Sequence, residues 1–147
     1  MAQPTELEQE LALKTGIAET ELIIIDDDPL FRLMLQDYLY ETEEMGSELF
    51  DNGALFLSKY KSDDKRKIIL DYEFDKGPDG LEVLKRLKKI NPMAKVIVVS
   101  GVDDLEKALE TIRSGASDYF LKTNTTVFAN IVCSIKMMKE LERLKFN

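Results

Sequence analysis

The chain has 147 residues, a formal net charge of −8, 44% hydrophobic and 33% charged residues, one cysteine and no histidine. This size and balance fit one soluble globular domain with a single core. The acidic surplus argues against direct nucleic-acid binding, no stretch is long and apolar enough to span a membrane, and the missing histidine excludes Ser–His–Asp catalysis and imidazole-held metals.

Residues 1–20 read as a polar N-terminal extension, with Leu7, Leu11 and Leu13 marking a short, weak helix. Met1 to Lys14 lacks the apolar run of a secretory leader, so the expected location is the cytoplasm. The domain proper is expected over residues 21–147. Leu22-Ile23-Ile24-Ile25 is a purely apolar run and reads as a strand buried on both faces. It ends in Asp26-Asp27-Asp28-Pro29. Pro29 opens a helix with Phe31, Met34, Leu35, Tyr38 and Leu39 on one face, and Asp28 before it is placed to cap that helix.

Glu48-Leu49-Phe50 is a weak strand candidate, Asn52-Gly53 a turn, and Leu55, Phe56, Leu57 and Tyr60 suggest a second helix. Lys67-Ile68-Ile69-Leu70 is a second buried strand, ending on Asp71. Gly80 to Ile90 has helical spacing of Leu81, Leu84 and Leu87 and stops at Asn91-Pro92. Val96-Ile97-Val98-Val99 is the clearest strand and ends at Ser100-Gly101. Asp103 and Glu106 resemble a capping box for a helix expected to bury Leu105, Ala108, Leu109 and Ile112. Asp118-Tyr119-Phe120-Leu121 is the last strand and ends at Lys122. Thr125 is placed to cap a final helix carrying Phe128, Ile131, Val132, Ile135, Met138 and Leu141. Cys133 and the Met137-Met138 pair are expected to be packing residues of that helix.

Strand and helix alternate five times, which predicts an α/β fold with a doubly wound parallel sheet. In such a sheet the carboxyl ends of the strands share one rim, where ligands bind. Here that rim carries Asp26, Asp27, Asp71, Ser100 and Lys122. Two carboxylates about 4 Å apart repel by roughly 4 kcal/mol at an effective dielectric of 20. Capping explains Asp28 but not Asp26 and Asp27. All-oxygen acidic ligands suit Mg²⁺, with Mn²⁺ possible. The chemistry suggested is phosphoryl transfer to a carboxylate, with Asp71 as nucleophile and Lys122 and Ser100 as donors to the phosphoryl oxygens.

The segments IIIDDDP, IILD, DGLEVLKRLK, VIVVSG and GASDYFLK resemble the receiver domain of bacterial two-component response regulators, over about Leu22 to Arg143. The resemblance implies a flavodoxin-like strand order of 2-1-3-4-5. It implies Asp71 as phosphoacceptor, Asp26 and Asp27 as the acidic pair, Ser100 and Lys122 as the hydroxyl and lysine, and Tyr119 as a switch aromatic. It further implies Mg²⁺ bound by Asp26, Asp27, Asp71 and the main-chain carbonyl of Glu73. The partners implied are a histidine kinase or phosphotransfer protein and a downstream effector. The output face would be residues 103–145, through which a homodimer could also form. Such a chain is a switch rather than an enzyme, catalysing only its own phosphorylation and slow dephosphorylation.

The sequence departs from the family pattern in three places. Lys122 is followed by Thr123 where proline is common; a cis bond before threonine would cost about 2.5–4 kcal/mol, so the bond is either trans or strained. The Asp71–Gly80 stretch runs one residue long, with Asp75 where proline is common. Glu73 adds an acid beside the site and Val102 is apolar. Two other readings fit parts of the pattern: an interaction module that no longer needs phosphorylation, and a haloacid-dehalogenase-type phosphohydrolase built on Asp26-x-Asp28.

Overall fold

The computed structural model describes residues 3, 5–15 and 20–145. The elements are α1 (Glu6–Thr15), β1 (Leu22–Ile25), α2 (Pro29–Glu43), β2 (Ser47–Phe50), α3 (Gly53–Lys59), β3 (Lys67–Asp71), α4 (Gly80–Ile90), β4 (Val96–Ser100), α5 (Leu105–Arg113), β5 (Asp118–Leu121) and α6 (Val127–Lys145). The five strands form one sheet in the order β2-β1-β3-β4-β5, with every pair parallel. The expected fold and strand order are thus both present.

Side-chain alternation divides the core between the two faces of the sheet. Ile23, Ile25, Ile68, Leu70, Val96 and Val98 pack with Phe56 of α3 and Val83, Leu84 and Leu87 of α4. Leu22, Ile24, Ile69, Ile97 and Val99 pack with Leu35 and Leu39 of α2 and Ile131 and Ile135 of α6. β1, β3 and β4 are buried along their whole length. This is why their sequences are unbroken apolar runs rather than alternating ones.

Several local expectations need correction. α5 is capped by Asp104, not Asp103; its carboxylate accepts from the amides of Glu106 and Lys107. Leu105, Leu109 and Ile112 are exposed, at 72%, 43% and 46%, and Thr111 is the buried residue of α5. The helix has an apolar face, but little of the core reaches it. Ahead of α6 the side chain that bonds the backbone is Asn124 and not Thr125: its Oδ1 accepts from the Thr126 amide at 3.0 Å, closing a turn just before the helix. Met138 is buried, whereas Cys133, Met137 and Leu141 are exposed, as is Met34 on α2. These four lie on the rims of helices whose neighbouring positions fill the core.

The extension forms α1, opened by a reciprocal Thr5–Glu8 capping box. It lies against β2 and α2, with Leu7 and Leu11 exposed. The Leu13 side chain, residues 16–19 before the expected domain boundary, and residues 146–147 fall outside what is described.

Candidate functional site

Parallel register builds the site directly. Ile25 pairs with Leu70, so Asp26 and Asp71 leave neighbouring strands side by side. The Lys122 amide donates to the Ser100 carbonyl at 2.8 Å, which sets the lysine beside the tip of β4. Gly80 closes the floor. A Cβ there would lie 2.3 Å from the Asp71 carbonyl oxygen, so only glycine lets α4 start against the end of β3.

One carboxylate oxygen from each of Asp26, Asp27 and Asp71 lies within 4.8 Å of the other two. Asp26 and Asp71 are buried, at 2% and 3% exposed. Lys122 Nζ lies 2.7 Å from Asp26 Oδ2 and 3.3 Å from Asp71 Oδ1, with the Phe31 ring 4.4 Å beneath it. The Lys122–Thr123 peptide is trans, and the lysine reaches both acids from that geometry. Asp28 stands apart: its carboxylate accepts from the amides of Leu30 and Phe31 as the cap of α2. That leaves the Asp26-x-Asp28 pattern of the hydrolase reading without its second acid.

Backbone donors fix the acids further. The Asp28 amide donates to Asp26 Oδ1 at 2.8 Å, and the Asp75 amide donates to Asp27 Oδ2 at 2.9 Å. The second bond depends on the departure noted in the loop, since a proline at position 75 would have no N–H. Arg32 donates to the Asp26 carbonyl at 2.6 Å, a contact that the sequence did not announce.

The electrostatics are unbalanced. Three carboxylates face one ammonium. Burial, then the charge of Asp26, pushes Asp71 up to about 8, and Lys122 pulls it back only in part. Burial disfavours the Lys122 ammonium, but the hydrogen bond to Asp26 and the charges of Asp71 and Asp26 outweigh it and raise the lysine. The lysine therefore stays charged while the acids remain short of positive charge. An all-oxygen donor set with two surplus negative charges fits a hard divalent cation.

Ser100 is fully buried at the end of β4. Its hydroxyl donates to Glu73 Oε1, and the Gly101 amide donates to Glu73 Oε2 at 3.1 Å. Tyr119 turns inward. Its hydroxyl is buried with no hydrogen-bond partner among the described residues; burial raises the phenol and the nearby Ser100 hydroxyl offsets part of that rise. The sequence gives Glu73 a main-chain role at the site and marks its side chain as an extra acid nearby, without naming the partners of that side chain. The side-chain contact was missed because it depends on how the loop after β3 folds, and the only signal was an extra acid two residues past Asp71.

Known proteins resemble this chain in sequence and in fold. The family model described as the response regulator receiver domain matches residues 22–130. The chain is 29% identical over 102 residues to the chemotaxis protein CheY of Bacillus subtilis, covering 69% of this chain and 83% of that one. A CheY-like receiver domain from Methanospirillum hungatei shares the fold with a TM-score of 0.75 at 22% identity, covering 87% of this chain and 99% of that chain. A response regulator from Burkholderia pseudomallei, solved with a phosphorylated aspartic acid, a calcium ion and citrate, has a TM-score of 0.67 at 20% identity, covering 86% and 75%. With most of its length inside the matched region and its five-stranded order the same, the chain belongs to the response regulator receiver domain family.

Proposed function

We propose that this receiver domain accepts a phosphoryl group on Asp71 and relays that event to a partner through its last helix–strand–helix face. The observation that carries the reading is the Lys122 ammonium set between Asp26 and Asp71, in a cluster of three carboxylates close enough together to hold a divalent ion. The phosphorylated aspartic acid and calcium ion of the Burkholderia pseudomallei relative support it by analogy.

In this mechanism a carboxylate oxygen of Asp71 attacks phosphorus. The bond from phosphorus to the donor's nitrogen or acyl oxygen breaks, and the donor leaves with the electron pair. Burial keeps Asp71 poorly hydrated, so little solvent must leave before attack. Lys122 pairs with one phosphoryl oxygen, and Ser100 and the Gly101 amide are the donors for another. Asp26, Asp27, Asp71 and the Glu73 main-chain carbonyl would hold Mg²⁺, or Mn²⁺, which supplies charge neutralisation at the phosphoryl oxygens. Tyr119, beside Ser100, is the side chain set to follow movement of the β4 end.

The donor is a histidine kinase, a phosphotransfer protein or a small acyl phosphate, which goes with a cytoplasmic site of action. The output surface lies within residues 103–145. It includes the exposed Leu105, Leu109 and Ile112, and its partner is an effector or a second copy of the chain. As a switch, the domain turns over nothing but its own phosphoryl group.

The test is intact mass after incubation with acetyl phosphate, with and without Mg²⁺, beside Asp71→Asn. One added phosphoryl group on the parent, only with Mg²⁺ and absent from the variant, is the expected result. Equal labelling of parent and Asp71→Asn would overturn the assignment.

A further inference from the structure

Two neutral hydrogen-bond donors face the space beside Asp71 from the end of β4: the Ser100 hydroxyl and the Gly101 amide. Both are engaged by one side chain, Glu73, with one carboxylate oxygen on each. Ser100 Oγ in turn accepts from the Val102 amide at 3.1 Å, which ties the start of the following loop to the same contact. The Glu73 amide donates to Asp71 Oδ1 at 3.3 Å, so the backbone that carries this carboxylate is pinned to the proposed phosphoacceptor. A carboxylate spanning a hydroxyl and an adjacent amide is what an oxyanion does in such a site. The donor pair cannot serve two anions at once.

From this we infer that the Glu73 side chain is a built-in stand-in for the phosphoryl group. It occupies the Ser100–Gly101 donor pair in the resting domain and must leave before a phosphoryl group on Asp71 can use that pair. The inference rests on the reading of Asp71 as phosphoacceptor and adds a specific resident competitor to it. It gives the acid two residues past Asp71 a direction of effect. Glu73 holds the end of β4 in place without phosphate and weakens the hold on the phosphoryl group.

The neighbouring charges reinforce the competition. Asp26, Asp27 and Asp71 already outnumber Lys122, so the Glu73 carboxylate has no free cation among the site residues described here. Its protein partners are the donor pair, and the rest of its stabilisation comes from the solvent that it still reaches. Hydrogen bonds to a charged acceptor are strong enough to make displacement visible as a tenfold effect on affinity. Glu73 is only half-buried, and removing its side chain opens no core cavity.

The experiment is a titration of the full chain with beryllofluoride, a phosphoryl mimic, at saturating Mg²⁺. The parent, Glu73→Gln, Glu73→Ala and Asp71→Asn are compared, with the Gly101 amide followed by ¹H–¹⁵N spectroscopy. Before any addition, the Gly101 amide proton is expected upfield in Glu73→Ala, where its anionic acceptor is gone. On addition, Glu73→Ala is expected to bind about tenfold tighter than the parent, Glu73→Gln in between, and Asp71→Asn not at all. Equal or weaker binding by Glu73→Ala overturns the competition, as does a Gly101 signal that ignores the substitution. If the parent and both Glu73 variants fail to bind, the phosphoacceptor reading falls and the competition falls with it. The ligand-free Gly101 shift still reports whether the Glu73 contact exists, which separates the two failures.

Discussion

Charge is gathered at both ends of the sheet, part-buried at one and buried at the other, and the two ends handle it differently. At the amino end, Arg66 makes a two-pronged pair with Asp64, with distances from 2.8 to 3.2 Å, and reaches Thr20 at 2.9 Å and Glu48 at 3.0 Å. Burial pushes Asp64 up, but the hydrogen bonds and charge of Arg66 win and hold it below the usual carboxylate range. At the carboxyl end, Lys122 also touches two acids, yet burial and Asp26 leave Asp71 at about 8. One end is a finished network that joins β1, β2 and β3. The other is left with surplus negative charge, which favours the fold only when a cation or a proton makes up the difference. A network built for stability satisfies its charges internally; a site built for ligand exchange cannot.

Breaking the finished end has the largest expected effect. Arg66→Ala removes the shared partner of Asp64 and Glu48 and leaves a carboxylate largely out of water. The expected loss is about 2.5 kcal/mol in urea unfolding, below that of a fully buried pair because the network is partly exposed. Arg66→Lys should recover less than half of it, because a point charge cannot serve Asp64, Glu48 and Thr20 in the same fork geometry. A loss below about 0.5 kcal/mol for Arg66→Ala would reduce the network to an exposed surface pair.

The unfinished end has the opposite sign. Asp71 has its pKa raised from 3.8 to about 8, so the folded state holds a proton that the unfolded chain releases. Its stabilising contribution is present below the usual carboxylate range and is lost as pH rises from about 4 through 8. Asp64, with its pKa depressed, contributes stability above that range and loses it as pH falls through its lowered value. Without divalent ions, Asp71→Asn should therefore stabilise the domain at pH 9 by about 2 kcal/mol and change little at pH 4. Destabilisation at pH 9 in the absence of metal would show that Lys122 satisfies the site completely.

Metal binding sharpens the same contrast. A cation that binds the ionised cluster must displace the Asp71 proton below about pH 8. The apparent Mg²⁺ affinity should rise up to about tenfold per pH unit between pH 6 and 8 and level off above. Calorimetric titrations in buffers of different ionisation heat would report the released proton. An affinity flat across that interval would mean that Asp71 is already ionised in the metal-free domain.

The rim was legible in the sequence because β1, β3 and β4 are unbroken apolar runs that stop at Asp26, Asp71 and Ser100, and a parallel sheet brings such ends together. The packing of α5 was not. Leu105, Leu109 and Ile112 have helical spacing, and periodicity shows that an apolar face exists without saying what covers it. The cap of α5 was misplaced by one residue because Asp103 and Asp104 offer the same side chain, and only backbone geometry chooses between them. Arg66 carried no signal, since its partners at Thr20, Glu48 and Asp64 belong to three separate parts of the chain.

The smallest effect concerns the second contact at the finished end. Lys67 opens β3 with its side chain almost buried, and its ammonium lies 3.1 Å from Glu142 on α6, which is half exposed. Glu142→Ala should lower stability by only about 1 kcal/mol, because the lysine stem stays packed and the head can turn toward water. The loss should shrink further at 1 M salt, as expected for a pair with one partner in solvent. Because Glu142 lies at the far end of the sheet from Asp71, labelling by acetyl phosphate should be unchanged in this variant. A loss near that of Arg66→Ala, or a change in labelling, would mean that the end of α6 is coupled to the acidic rim. The division between a structural end and a chemical end would then fail.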